Sequence, residues 1–147
     1  MTTSYVPNKP SSISGTIAND GFFPEIDLGH FISVVRLNDT ITEERIRYGL
    51  AQAILETNDQ LEVLKPNSPF SPDNAPLIEG VSKQVLLYQK AVYSLARVTL
   101  LQEMRDYDYV DHGDAPDLQA MIDDEQKRHT NALSALLGKP SKHIRLI

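Results

Sequence analysis

Apolar residues recur at three-to-four spacing through most of this chain, the period of helices that each bury one face. Leu28, Phe31, Ile32 and Val35 predict a short first helix, opened by Asp27 as N-cap and ending near Leu37. Ile46, Leu50, Ala53, Ile54, Leu61 and Leu64 form the stripe of a second helix from about Glu43 to Leu64, stopped by Lys65-Pro66 because the residue before proline disfavours helical backbone. Thr40, with Glu43 three residues on, has the spacing of a capping box, and Thr42 is the alternative cap. From Val81 to about Asp106 apolar residues spread around more than one face, which predicts a buried central helix. Leu118, Met121, Ile122, Ala132, Leu133 and Leu136 mark a fourth helix, opened at Asp114 or Pro116 and closed by Gly138 at C′ with Pro140 beyond.

What lies between and outside these stripes is equally informative. Residues 1–20 are rich in Ser, Thr, Asn and Pro, with no helical period to bury, and read as an N-terminal arm. Four prolines between Pro66 and Gly80 exclude helix and central strand and predict a long loop. Tyr107 to Asp114 reads as an acidic connection. The tail, 139–147, alternates apolar and polar residues and predicts an extended segment suited to adding a strand to a neighbour. The expected architecture is all-α: a four-helix connector-like bundle at 21–138, with an extended N-terminal arm and a C-terminal tail.

Composition narrows the function classes. The chain has 147 residues, enough for one domain with a real core, and its hydrophobic fraction of 41% is that of an ordinary globular protein. The absence of cysteine excludes disulfides, thiolate zinc sites and a cysteine nucleophile. No run approaches the ~18 apolar residues of a membrane span, and the polar start lacks the pattern of a signal peptide, so synthesis in the cytoplasm is expected. A net charge of −6 disfavours general nucleic-acid binding. Charge is uneven: Glu103 to Glu125 is acid-dense, whereas the tail carries Lys139, Lys142 and Arg145 without an acid. Such asymmetry suggests contact with another charged surface.

Catalytic and metal chemistry find little footing. Asp106, Asp108, Asp111, His112 and Asp114 would suit a hard cation by residue type. An EF-hand loop starting at Asp106, however, would place Asp111 where glycine is needed and Asp117 where a bidentate glutamate is needed. A solvated acidic linker is the better reading. Glu125 and His129 share a helix face, but the Glu-x-x-His signature of a bundle di-metal site is absent, and a hydrogen-bonded boundary histidine is expected at His129. The hydrolase elbow, phosphate-binding loop and dinucleotide fingerprint are also missing. No cofactor or enzymatic activity is expected. A helical adaptor module that binds a partner peptide, and a small metal-binding bundle, remain alternative readings.

Several stretches in order resemble one family. Phe22-Phe23-Pro24-Glu25-Ile26-Asp27, the link from Leu37 to Arg45, Ala53 to Leu61, Tyr88-Gln89-Lys90-Ala91-Val92 and Leu137-Gly138-Lys139-Pro140 are similar to phage head completion proteins of the GPL family. The resemblance implies a structural virion protein of a contractile-tailed phage or prophage, acting after DNA packaging. It implies a ring, expected to be a dodecamer, that docks on the portal protein, retains DNA and presents a surface to neck and tail proteins. Contact with packaged DNA would be at most indirect, and no membrane is involved. In that setting the tail residues Lys139, Lys142, Ile144, Arg145, Leu146 and Ile147 are the expected portal contact. Phe22, Phe23 and Pro24 are the expected anchor of the arm, against the body or a neighbouring subunit. Asp106, Asp108, Asp111 and Asp114 are an acidic patch facing either the channel or the tail.

Overall fold

The computed structural model describes residues 13–37, 41–67, 70, 77–112 and 116–139. Four helices carry the fold: α1 (Leu28–Val35), α2 (Glu43–Gln60), α3 (Lys83–His112) and α4 (Pro116–Leu136). Two antiparallel strand pairs accompany them: β1 (Thr16–Ile17) with β2 (Ile26–Asp27), and β3 (Leu77–Ile78) with β4 (Val81–Ser82). Helix α3 is the centre, packing against α1, α2 and α4. At 30 residues it extends about 45 Å. The expected central, many-sided helix is therefore found: Tyr88, Ala91, Val92, Tyr93, Ala96, Val98, Leu100 and Leu101 are all buried. Among the described residues no helix is long and apolar enough to cross a membrane.

The helix ends follow from local chemistry. The Asp27 carboxylate accepts the N–H of His30 at 2.9 Å and caps α1. Thr42 caps α2, its hydroxyl accepting the N–H of Arg45 at 3.3 Å, so of the two threonines it is the cap; Thr40 lies outside the described residues. At the end of α4 the N–H of Lys139 donates to the Ser134 carbonyl at 2.8 Å and that of Gly138 to Ala135 at 3.2 Å. This is the Schellman pattern, and Gly138, with φ of 72°, supplies the left-handed residue it requires.

Three boundaries differ from the sequence reading. Helix α2 stops at Gln60, and the chain tightens into a 3-10 helix over Glu62–Asn67 that contains Pro66. The N–H of Leu61 is already shared between the carbonyls of Thr57 and Asn58, so tightening begins before the proline. Second, Val81 and Ser82 pair with Ile78 and Leu77 instead of opening α3, and the Ser82 hydroxyl caps it by accepting the N–H groups of Gln84 and Val85. Third, α3 runs past Asp106 to His112, through most of the expected acidic connection. Negative charge does not by itself end a helix, and neither Gly nor Pro occurs from Lys83 to His112.

The interior face of α4 also differs. Ile122, Glu125, His129, Ala132, Leu133 and Leu136 are buried, whereas Met121 lies at the exposed edge of the stripe. The helical period holds, but two of its inward positions are polar.

Candidate functional site

The expected arm anchor is a packed aromatic cluster within this chain. Phe23 is 3% exposed and stacks on Tyr88, with ring centroids 5.4 Å apart and planes 11° apart. Phe22 meets Phe23 edge-on at 4.9 Å, and Phe70, from the proline-rich loop, meets both phenylalanines and Tyr88 edge-on. Edge-on and offset contacts are the favourable arrangements for aromatic quadrupoles. Both phenylalanines thus meet the body of the same chain. Pro24 lies beside them, its carbonyl accepting from the Asn19 side chain at 2.8 Å.

A polar network closes over this cluster. The buried Tyr88 hydroxyl donates to Asn58 Oδ1 at 2.6 Å and accepts from Asn19 Nδ2 at 2.8 Å; Asn58 Nδ2 in turn donates to Asn19 Oδ1 at 2.8 Å. Burial pushes the Tyr88 pKa up to about 12, so the network holds the neutral phenol. Asp20 accepts the N–H groups of Phe22 and Phe23, both at 3.0 Å, and pairs with Lys65 at 3.3 Å. Burial works to raise its pKa, but these donors outweigh it and leave the carboxyl below its ordinary value. Residues 13–20, read as part of the arm, are therefore tied to the body through β1, Asn19 and Asp20. The sequence reading missed this because the three network residues lie 30 to 69 positions apart.

A second cluster lies between α3 and α4. Glu125 is 4% exposed and accepts from Arg97 on α3 and, at 3.1 Å, from Arg128 on its own helix. One turn further on, His129 is buried and its Nδ1 bonds the Ala91 carbonyl at 2.7 Å, the hydrogen-bonded histidine that the sequence predicts. Among the described residues no group of acidic and histidine side chains is placed to hold a metal ion. Beside Glu125 opens a cleft of about 480 Å³, lined by Val34 and Arg36 at the end of α1, Lys90, Tyr93 and Arg97 on α3, and Arg128 on α4.

The remaining expected site residues are placed as follows. Asp106 is exposed on α3 and pairs with its neighbour Arg105 at 3.0 Å. Asp108 and Asp111 belong to the helical backbone of α3, and Asp114 lies outside the described residues. Lys139 is exposed just beyond α4; Lys142, Ile144, Arg145, Leu146 and Ile147 lie outside the described residues.

Comparison with known proteins decides what kind of body this is. The family model for phage head completion protein (GPL) matches residues 17–147, from β1 to the last residue. The chain belongs to the phage head completion protein (GPL) family. A curated relative, the head completion/stabilization protein of Escherichia phage P2, is 26% identical over 162 aligned residues, covering 95% of this chain and 96% of the relative. No solved structure matches it significantly. Membership makes this head completion protein a structural, non-enzymatic component of the phage head. The family match also spans both clusters: the anchor phenylalanines with Tyr88, and Arg97 with Glu125. It includes the basic tail and leaves out residues 1–16.

Proposed function

We propose that this head completion protein assembles as a ring on the portal vertex after DNA packaging, closes the packaged head against DNA loss, and presents the surface to which neck and tail proteins attach. The observation that carries this reading is the end-to-end likeness to a protein named for head completion and stabilization, with the family match reaching the last residue of the basic tail. The tail is the portal contact: Lys139, Lys142 and Arg145 supply charge, and Ile144, Leu146 and Ile147 supply apolar anchors. Twelve copies would match a twelve-fold portal. The acidic Asp106, Asp108, Asp111 and Asp114 face either the channel, where negative charge lets DNA slide, or the incoming tail. DNA itself is touched at most indirectly, in keeping with a net charge of −6 that disfavours binding to phosphates.

The Schellman cap is complete at Lys139, so a chain lacking 141–147 keeps all four helices closed. Titrating the cognate portal protein with full-length and truncated chains tests the reading. Loss of portal binding with an unchanged thermal transition is expected; undiminished binding by the truncated chain removes the tail from the interface.

A further inference from the structure

The cleft beside Glu125 is basic on an acidic protein. Arg36, Lys90, Arg97 and Arg128 line it against the single carboxylate of Glu125, in a chain of net charge −6. Glu125 engages Arg97 and Arg128, while among the described residues Arg36 and Lys90 form no ion pair. Val34, 53% exposed, and the buried Tyr93 complete the lining with them. Arg36 is also in the left-handed conformation, with φ of 53° and ψ of 58°, as the residue that ends α1. Any side chain with a Cβ is strained there, and glycine is not. What arginine adds at this position is its charge, set in the lining of the cleft; a strained residue kept at such a place points to use.

The matching surface lies on the same chain. Helix α2 buries Ile46, Leu50, Ala53, Ile54 and Thr57. On the opposite side it exposes a stripe of Glu44, Tyr48, Leu55 and Asp59, with Tyr48 64% and Leu55 63% exposed. Two carboxylates flank two large apolar side chains, over a span of about 22 Å. The cleft offers the complement: cations together with the exposed apolar side chain of Val34. Both α2 and α4 pack on α3, and the stripe faces away from it, so a copy does not fill its own cleft with its own stripe.

We infer that the cleft receives the α2 stripe of a second copy of this chain. The two surfaces differ, so the contact is head-to-tail: each copy gives its stripe to one neighbour and its cleft to the other, the arrangement that closes into rings. This deepens, and rests on, the ring reading above. A DNA phosphate is the competing occupant, but it offers nothing apolar to Val34.

The chain has no cysteine, which makes the contact directly testable. Ser33→Cys places a thiol beside Val34 at the cleft, and Gln52→Cys places one beside the α2 stripe; both positions are exposed. With the portal protein present and a short bismaleimide added, the double variant is expected to give a ladder of linked multimers. An equal mixture of the two single variants should give dimers and nothing larger, and each single variant alone should give none. Arg36→Gly should keep or raise the thermal midpoint while weakening assembly at least tenfold. Linkage within either single variant alone overturns the head-to-tail contact. Absence of a ladder from a double variant that still assembles by light scattering overturns this pairing and leaves the ring. Arg36→Gly that loses DNA affinity but assembles normally assigns the cleft to phosphate instead and overturns the proposal. Wild-type protein that stays monomeric on the portal overturns the ring reading itself.

Discussion

Removing one oxygen atom tests whether the network over the aromatic cluster holds residues 13–24 to the body. In Tyr88→Phe the ring stays stacked on Phe23 at 5.4 Å, so packing is conserved. Two hydrogen bonds disappear, to Asn58 at 2.6 Å and from Asn19 at 2.8 Å. Asn19 Nδ2 keeps the Pro24 carbonyl as acceptor, but Asn58 Oδ1 loses its tyrosine donor. Two bonds at about 1 kcal/mol each, plus part of the cost of a stranded acceptor, give a loss of about 2–3 kcal/mol. For a chain of this size that is roughly 5–10 °C in the thermal midpoint. Urea titration should show a lower midpoint with an unchanged slope, because the surface exposed on unfolding is the same. A double-mutant cycle with Asn58→Ala should return a coupling of roughly 1 kcal/mol or more. Alkaline titration gives an independent readout. The folded-state phenol has its pKa raised to about 12 from an ordinary value of 10. Over that interval the unfolded chain therefore binds fewer protons than the folded one. Stability is intact below about pH 10 and falls as pH rises toward 12; Tyr93, also raised by burial, adds to the fall. Tyr88→Phe should flatten part of that decline. A variant as stable as the parent, with the same alkaline profile, would refute the network.

Other substitutions probe the remaining supports. Phe23→Ala removes a core ring and should cost about 3–5 kcal/mol by calorimetry, clearly more than Phe22→Ala, whose ring is only half-buried. Gly138→Ala forces a Cβ into the left-handed region and should cost about 1 kcal/mol, seen as earlier fraying of α4 in hydrogen exchange. Glu125→Gln leaves Arg97 and Arg128 without their carboxylate; since both guanidinium groups retain solvent, a loss of about 1–3 kcal/mol is expected in urea. Thr57→Val replaces a buried hydroxyl that has no partner among the described residues and should leave stability unchanged or raise it by about 1 kcal/mol.

What could be read from the sequence is what depends on neighbours along the chain. Asp27 as the cap of α1 and Gly138 as the end of α4 are decided within a few residues, and both are where the pattern places them. The buried stripe of α1 and the many-sided burial of α3 follow from periodicity alone. Charge misleads over 107–112, where it suggests a loop and the chain is helical, since aspartate weakens a helix without breaking it. It misleads again where a polar residue occupies an inward position. Glu125 looks like surface until Arg97, 28 positions away, is seen beside it. The cleft itself draws on three helices, and Arg36 gives no sequence signal of its left-handed backbone. That Phe22 and Phe23 avoid water is legible from their apolar rings, but nothing in the sequence names Tyr88 and Phe70 as the surface they meet. Because that surface is the chain's own, failure of Phe23→Ala to assemble would report lost folding before any lost interface.

The ring proposed for this head completion protein stands or falls with its recruitment in many copies by the portal. Its most direct test is solution mass by light scattering, alone and after addition of the cognate portal protein. The portal is expected to recruit many copies into one complex of fixed mass, matching the portal's own symmetry. A chain that remains monomeric and leaves the portal's mass unchanged would contradict the ring.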